Sequence, residues 1–347
     1  MKLIRTEDAA GQVLCHDITQ IIPGVKKDAV FRKGHIITKE DIPVLLSVGK
    51  DTIYIWENDE TMMHENEAAQ VLYNMCACGT ASKMHPSSVK EGKIEVIADC
   101  DGLLKVDSEK LKKVNSFGEM MIATRHGNTT VKKGDKLAGT RIIPLVIKKD
   151  KLEAASHICD DGPILDIKPF VVRKAAIITT GNEVYHGRIQ DAFTPVIEKK
   201  IAEFGAQMMF HEVFDDDDKK ITDGCLRAIE AGAEIVFCTG GMSVDPDDKT
   251  PLAIKNTGAR IVSYGSPVLP GAMFLLSYYD AGDRLVPICG LPGCAMYNKR
   301  TIFDIVLPRL MARDMILADE LAGLGEGGLC LNCDVCTFPN CGFGKGF

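Results

Sequence analysis

The sequence predicts an α/β protein, with a three-layer α/β domain over residues 171–315, a mainly β N-terminal half and a short Cys-rich C-terminal tail. Two observations carry that expectation. From about Arg173, short apolar runs alternate with segments of helical spacing, the pattern of parallel βαβ units with right-handed crossovers. Before that point, strand-like runs follow one another across Gly-Asn and Gly-Asp pairs that read as turns. The organisation expected is a mixed α/β region at 1–75, a mainly β domain at 76–170, the α/β domain at 171–315 and a Cys-rich metal-binding tail at 316–347.

Taken in order, GQVLCHDIT, AVFRKGHIIT and DTIYIW read as strands, and KEDIPVLLSVGK as a helix stopped at Gly49. A second helix is expected near HENEAAQVLYNM. GKIEVIADCDGLLKVD and the stretch from Gly118 to Ile147 are β-rich. Arg125 and His126, beside a turn, read as surface residues rather than ligands. In the C-terminal half AAIITT, AQMMFHEVF and EIVFCT are strands separated by helices in TPVIEKKIAEFG and DDKKITDGCLRAIEAG. RIVSYG, AMFLLSYY and RLVPIC add strands, and the spacing predicts a long closing helix over 294–311.

Composition narrows the function. A net charge of −7 argues against a broad electrostatic footprint for nucleic acid or anionic lipid. No apolar run reaches the length of a membrane span, and MKLIRTEDAAGQVLCHD lacks the apolar core of a signal peptide. The expectation is a cytoplasmic protein, a homo-oligomer, whose partners are small molecules or proteins. Thirteen cysteines, an odd number, fit a reducing compartment better than a disulfide framework.

In an open parallel sheet, ligands bind beyond the carboxyl ends of the strands. The informative loops fall there: TTGNEVYHG after the first strand, Asp215 to Asp218 after the second, TGGMSVDPDD after the third and GLPG at 290–293 after a later one. Glycines permit positive φ or close backbone approach, and helix N-termini offer free N–H groups to anions. The loops read as a phosphate cradle. Acids beside a phosphate need a cation between them, and Mg²⁺ suits one or two carboxylates plus phosphate. Capping of the next helix is the competing reading of the Asp215–Asp218 run, and a solvated loop that of Asp245, Asp247 and Asp248.

TTGNEV resembles the TGDEL-type motif, TGGMSVDPDD the GGVSxGxxD-type motif and GLPGCAMY the GLPGNP-type motif of the molybdopterin-binding domain shared by molybdopterin molybdenumtransferases, gephyrin and related cofactor-biosynthesis proteins. The resemblance covers about 171–315. It implies binding of molybdopterin or its adenylylated form, and a step at or near molybdate insertion. Thr180, Gly181, Asn182, Gly240, Gly241, Met242, Ser243, Pro270, Gly271, Gly290, Leu291, Pro292 and Gly293 fall on its cofactor-binding positions, and Glu183, Asp216 and Asp248 on its acidic ones. The partner implied is a molybdoenzyme or another cofactor-biosynthesis protein.

The departures point elsewhere. Where the transferases carry a PGKP-type lysine this chain has LPGAM, with Ala272 in the lysine's place. No MDGYA-like segment is evident, and Gln190, Asp191, Ala192 and Phe193 keep only the acid of the family's run. In place of the usual C-terminal β-barrel stands GLCLNCDVCTFPNCGFGKGF. Its Cys330, Cys333, Cys336 and Cys341 have spacings suited to an iron-sulfur cluster or a tetrahedral Zn²⁺. A non-catalytic carrier or sensor of the cofactor is the alternative to a transferase, and a hydrolase of another phosphate-containing ligand is a third reading.

Overall fold

The computed structural model describes residues 2–22, 26–55, 59–79, 83–243, 245–246 and 248–346. The chain forms two compact units. The first comprises Met1–Asp99, Val106–Arg125 and Lys133–Asp166; the second comprises Cys100–Lys105, His126–Lys132 and Ile167–Phe347.

In the first unit, Lys2–Arg5 pairs antiparallel with Thr52–Ile55, and Ile18–Ile22 with Lys26–Phe31. Leu14, Ile18, Ile37, Leu45 and Ile53 are buried together beneath them. The helix Asp41–Ser47 ends as the sequence suggests, with Gly49 at φ +76°. A second helix, Glu65–Ala77, presses Ala68, Ala69, Leu72 and Met75 onto an antiparallel sheet ordered Met84–Pro86, Lys93–Ala98, Lys136–Ile142, Met120–Thr124. Arg125 pairs with Asp135 at 2.8 Å. Two short helices, Ser108–Asn115 and Lys149–Ser156, interrupt the stretch expected to be β. The Asp107 carboxylate caps the first by accepting from the Lys110 N–H at 2.9 Å.

The second unit is built on six strands: β1 (Lys174–Thr180), β2 (Gln207–Phe214), β3 (Ile235–Thr239), β4 (Arg260–Tyr264), β5 (Leu275–Asp280) and β6 (Leu285–Leu291). Their order is β2-β1-β3-β6-β5-β4. The ladders β1–β2, β1–β3 and β3–β6 are parallel, and β5 runs antiparallel to both neighbours. Side chains alternate along each central strand between two apolar layers. Ala175, Ile177, Ile235, Phe237, Cys289 and Leu291 face one core; Ala176, Ile178, Val236, Cys238, Val286 and Ile288 face the other. Near-continuous apolar runs are what a sheet buried on both faces requires.

Helices cover both sides. α1 (Phe193–Ala202) and α4 (Ile302–Met311) supply the first layer; α2 (Asp218–Glu230) and α3 (Thr250–Asn256) supply the second. The long helix predicted over 294–311 is two pieces, a 3₁₀ turn at Gly293–Met296 and then α4. Thr301 resets the backbone, because it forms a capping box with Asp304 and so begins a new helix.

The tail packs on the same unit. Leu269 N–H donates to Gly328 O and Cys330 N–H to Leu269 O, both at 2.8 Å. Phe343 is buried in the core with Phe303 and Val306. Gly344 sits where a side chain would strike Ile305. Among the described residues, no helix is long and apolar enough to cross a membrane.

Candidate functional site

From β1 the chain passes to β2 on one side, and from β2 it crosses to β3 on the other. The connections therefore part above the β1/β3 boundary and leave a crevice at the carboxyl ends of the strands. Two buried threonines, Thr180 ending β1 and Thr239 ending β3, form its floor. The Thr180 hydroxyl donates to Thr239 O at 3.1 Å, and its oxygen lies 3.1 Å from that of Thr250 at the start of α3. The Thr250 hydroxyl in turn donates to Gly240 O at 2.9 Å. Among the described residues, Thr239 Oγ1 and Asp215 Oδ1 are buried with no hydrogen-bond partner. Orphaned polar atoms at such a place are a cost that a ligand or water would relieve.

The first loop holds Gly181 at φ +131° and then a single helical turn, Asn182–Tyr185. The Asn182 N–H donates to Asp216 Oδ2 at 3.2 Å, so this acid joins the loops after β1 and β2. Glu183 is exposed. Further along, Asp191 gathers hydroxyls from Thr179 at 2.9 Å and Thr194 at 2.6 Å, with His211 of β2 at 3.5 Å. Burial alone would raise the Asp191 carboxyl; the bonds from Thr194, Thr179 and Phe193 overcome that and hold it below its usual value.

The run Asp215–Asp218 is divided among structural tasks. Asp217 caps α2, accepting from the Lys219 and Lys220 N–H groups at 3.0 and 3.2 Å. Asp215 pairs with the Lys220 ammonium at 2.7 Å, and Asp218 accepts from the Asn256 amide at 3.1 Å. Capping thus accounts for Asp217 alone, and the other three acids are engaged by Lys220, the Asn182 N–H and Asn256.

The loop after β3 differs. Gly240 and Gly241 have φ of +83° and +54°, and a side chain on Gly240 would strike Thr180 O. Their small size therefore serves close packing against β1, not ligand approach alone. Met242 is a core side chain resting on Gly290, and Tyr264 of β4 donates its hydroxyl to Met242 O at 3.1 Å. Among the described residues, the N–H groups of Gly241, Met242 and Ser243 make no hydrogen bond. Asp248 is half-buried, and no hydrogen bond or ion pair engages its carboxylate among those residues. Burial raises the Tyr264 hydroxyl, and the charge of Asp248 raises it further. Val244 and Asp247 lie outside the described residues.

The remaining predicted positions separate into core and edge. Leu291 is fully buried, and Gly271 is small because Ile302 lies where its side chain would be. Pro270 O accepts from Ile302 N–H at 3.1 Å and Pro292 O from Ala295 N–H at 3.0 Å, whereas Gly293 faces open space. Ala272 is exposed and brings no cation. Lys249, beside Asp248, donates to Pro246 O. Arg284 precedes β6 and so stands a strand's length from the crevice. It cannot replace the absent lysine.

Lys299 donates to Cys333 O at 3.4 Å and Asp334 O at 3.1 Å, and the Arg300 guanidinium lies 5.0 Å from the Phe338 ring centre. These contacts seat the tail beside the loop after β6. The Phe338 N–H, with Arg300 next to it, holds the Cys336 thiol below its usual value. Cys333 and Cys336 are exposed, while Cys330 and Cys341 pack partly against the core. Among the described residues no three His, Cys, Asp or Glu side chains are gathered as a metal site, so the four thiols do not converge as placed.

Sequence reading missed Thr239, Thr250, Tyr264 and His211. The signal for the first was in view: the runs AAIITT and EIVFCT both end in threonine, a polar residue closing a buried strand.

Residues 176–312 match the model of the probable molybdopterin binding domain, and residues 3–57 match a domain of unknown function. The "Putative competence-damage inducible protein" of Bacillus velezensis is 29% identical over 90 residues, 26% of this chain and 21% of the relative. Its namesake in Clostridium kluyveri is 26% identical over 156 residues, 39% of this chain and 37% of the relative. The chain thus spans about a fifth to two fifths of the length of these curated relatives. Among solved structures, the tungsten cofactor synthesizing protein MoaB from Pyrococcus furiosus is similar at 18% identity and a TM-score of 0.31, over 41% of this chain and 89% of that one. A molybdenum cofactor biosynthesis protein from the same organism is similar at 11% identity and a TM-score of 0.27, over 92% of this chain and 64% of that one. Three loop motifs thus converge on one crevice, and the family model of the probable molybdopterin binding domain spans the same strands.

Proposed function

We propose that the crevice above β1 and β3 binds molybdopterin or its adenylylated form, and that the protein acts in molybdenum cofactor biosynthesis at molybdate insertion or a neighbouring late step. The observation that carries this reading is the pairing, on one loop, of unengaged N–H groups at Gly241–Ser243 with the unpaired, half-buried Asp248. Amides of that kind suit phosphate oxygens, and the carboxylate suits the cation that must accompany them. Mg²⁺ needs only one or two protein carboxylates when phosphate supplies other ligands, so Asp248, with Glu183 at the crevice edge, fits it. The bound cation would neutralise charge on the phosphate; the chain's own part is to hold the ligand through the loop amides and to keep Thr239 and Asp215 beneath it.

The carrier or sensor reading gains from one observation. Ala272 gives an incoming oxyanion no fixed positive partner, and a desolvated, unpaired charge is costly. Binding can persist where insertion fails. In this reading the tail is the element that meets a molybdoenzyme or another biosynthesis protein, and an iron-sulfur cluster or Zn²⁺ there requires the four thiols to draw together.

The test is anaerobic calorimetry with adenylylated molybdopterin, with and without Mg²⁺. The parent should bind with Mg²⁺ assistance, and Asp248→Asn should abolish that assistance while leaving a weaker, Mg²⁺-independent isotherm. Equal Mg²⁺ dependence in both proteins removes Asp248 from the site, and no binding by the parent removes the pterin.

A further inference from the structure

A second site lies in the first unit, whose sequence carries no assigned chemistry. A cavity of about 270 Å³ opens between the segments around His16, Arg32, Glu65 and Glu91, and its wall is mostly polar, with Val89 one of its few apolar residues. Four features set it apart from an ordinary surface hollow. Glu65 is half-buried at the first position of its helix, yet its carboxylate makes no hydrogen bond or ion pair among the described residues. Arg32 is exposed on the same cavity, and its guanidinium also has no such partner. Glu65 and Arg32 do not pair with each other. Beside them His16 Nδ1 is buried without a hydrogen-bond partner among the described residues, and Glu91 is held at φ +51°, a conformation that costs a non-glycine residue.

Of the other charged groups on the wall, Asp17 accepts from the Lys33 N–H and Glu91 pairs with Lys93, so among the described residues the charges left to a ligand are Glu65 on one side and Arg32 and Lys90 on the other. A simple anion would answer Arg32 and leave Glu65 facing it. A simple cation would answer Glu65 and leave Arg32 unmet. We infer that this cavity binds a small zwitterion, an α-amino acid with a polar side chain, its carboxylate on Arg32 and its ammonium on Glu65. The space suits a molecule of that size, and the polar wall disfavours a large apolar side chain. The reading is independent of what the C-terminal unit binds.

The experiment uses the full chain and a panel of nine polar L-amino acids: serine, threonine, asparagine, glutamine, aspartate, glutamate, lysine, arginine and histidine. Calorimetry should give a saturable isotherm for at least one. The tightest binder is then compared with its N-acetyl form, which keeps only the anion, and its α-amide form, which keeps only the cation. Each should bind about tenfold more weakly, the loss expected for one charged hydrogen-bonded contact. Glu65→Gln should weaken the zwitterion and narrow its advantage over the N-acetyl form; Arg32→Gln should narrow its advantage over the α-amide. Thermal unfolding of both variants in buffer checks that each is folded. The inference is overturned if no amino acid in the panel saturates, if either singly charged form binds as tightly as the zwitterion, or if both folded variants bind like the parent.

Discussion

The side chain of Met242 occupies the space that Gly290 leaves empty: a Cβ on Gly290 would lie 2.5 Å from both Sδ and Cε of Met242. Two of the three ligand-loop motifs are thereby locked together in the core. Gly290→Ala should cost about 1–3 kcal/mol through overpacking. In a Met242→Ala background the same change should cost much less, because the clash is gone. Urea unfolding of the four proteins measures the coupling; additive effects would show that the two residues do not meet.

Asp314 sets the acid limit of the second unit. Burial alone would raise its carboxyl, but Lys168, Lys105 and Arg309, at 2.5, 2.9 and 2.6 Å, hold it at about 2. A depressed carboxyl stabilises the fold fully above its unfolded value and loses that contribution as pH falls toward the folded one. The shift corresponds to about 2 kcal/mol, present above about pH 4 and lost between there and about pH 2. Denaturant midpoints across that window should be flatter for Asp314→Asn than for the parent. Asp314→Ala, which leaves Lys105 and Lys168 without their carboxylate while Arg309 keeps Glu320, should cost about 3 kcal/mol at neutral pH.

Ala272 is exposed on the loop that precedes β5, so a lysine fits there without displacing core atoms. With adenylylated molybdopterin, Mg²⁺ and molybdate, the parent should turn over slowly, and Ala272→Lys should raise the rate by about tenfold or more, a gain of about 1.4 kcal/mol in transition-state stabilisation. Parent turnover that Ala272→Lys leaves unchanged would mean that another group, with Lys249 on the β3 loop a candidate, already serves the oxyanion.

For the tail, iron, sulfide and zinc contents measured on anaerobically prepared protein should show metal in the parent and little in Cys333→Ser/Cys336→Ser. The thiols stand apart in the structure, so binding should also quench the reactivity of Cys336, whose lowered thiol favours alkylation. A parent without metal, or a double variant with full content, refutes the tail as a metal site.

The order of strands and helices from Arg173 to Met311 was legible because both faces of each central strand are apolar and each crossover carries helical spacing. The short helices at Ser108–Asn115 and Lys149–Ser156 were not, since their charged, Lys-rich sequences bury few residues, and only the first has a side-chain cap, from Asp107. The site loops were found by their glycines, but the reason for those glycines was only half visible. Gly240 and Gly271 are small to let β1 and Ile302 approach, a long-range contact that no local pattern announces. The acids show the same limit: four aspartates in a row look alike in sequence, and only the fold assigns one to a cap, one to Lys220, one to Asn182 and one to Asn256.

The tail's placement also governs the order in which the protein can be finished. Phe343 and Gly344 close over Ile305 and the apolar side of α4, and Leu269 waits for Gly328 and Cys330 to satisfy its main-chain groups. Every strand of the sheet is synthesised before the segment that seals it. A nascent chain with all six strands in place therefore still exposes a greasy seam along α4, and its escape from aggregation depends on how soon residues 327–346 arrive.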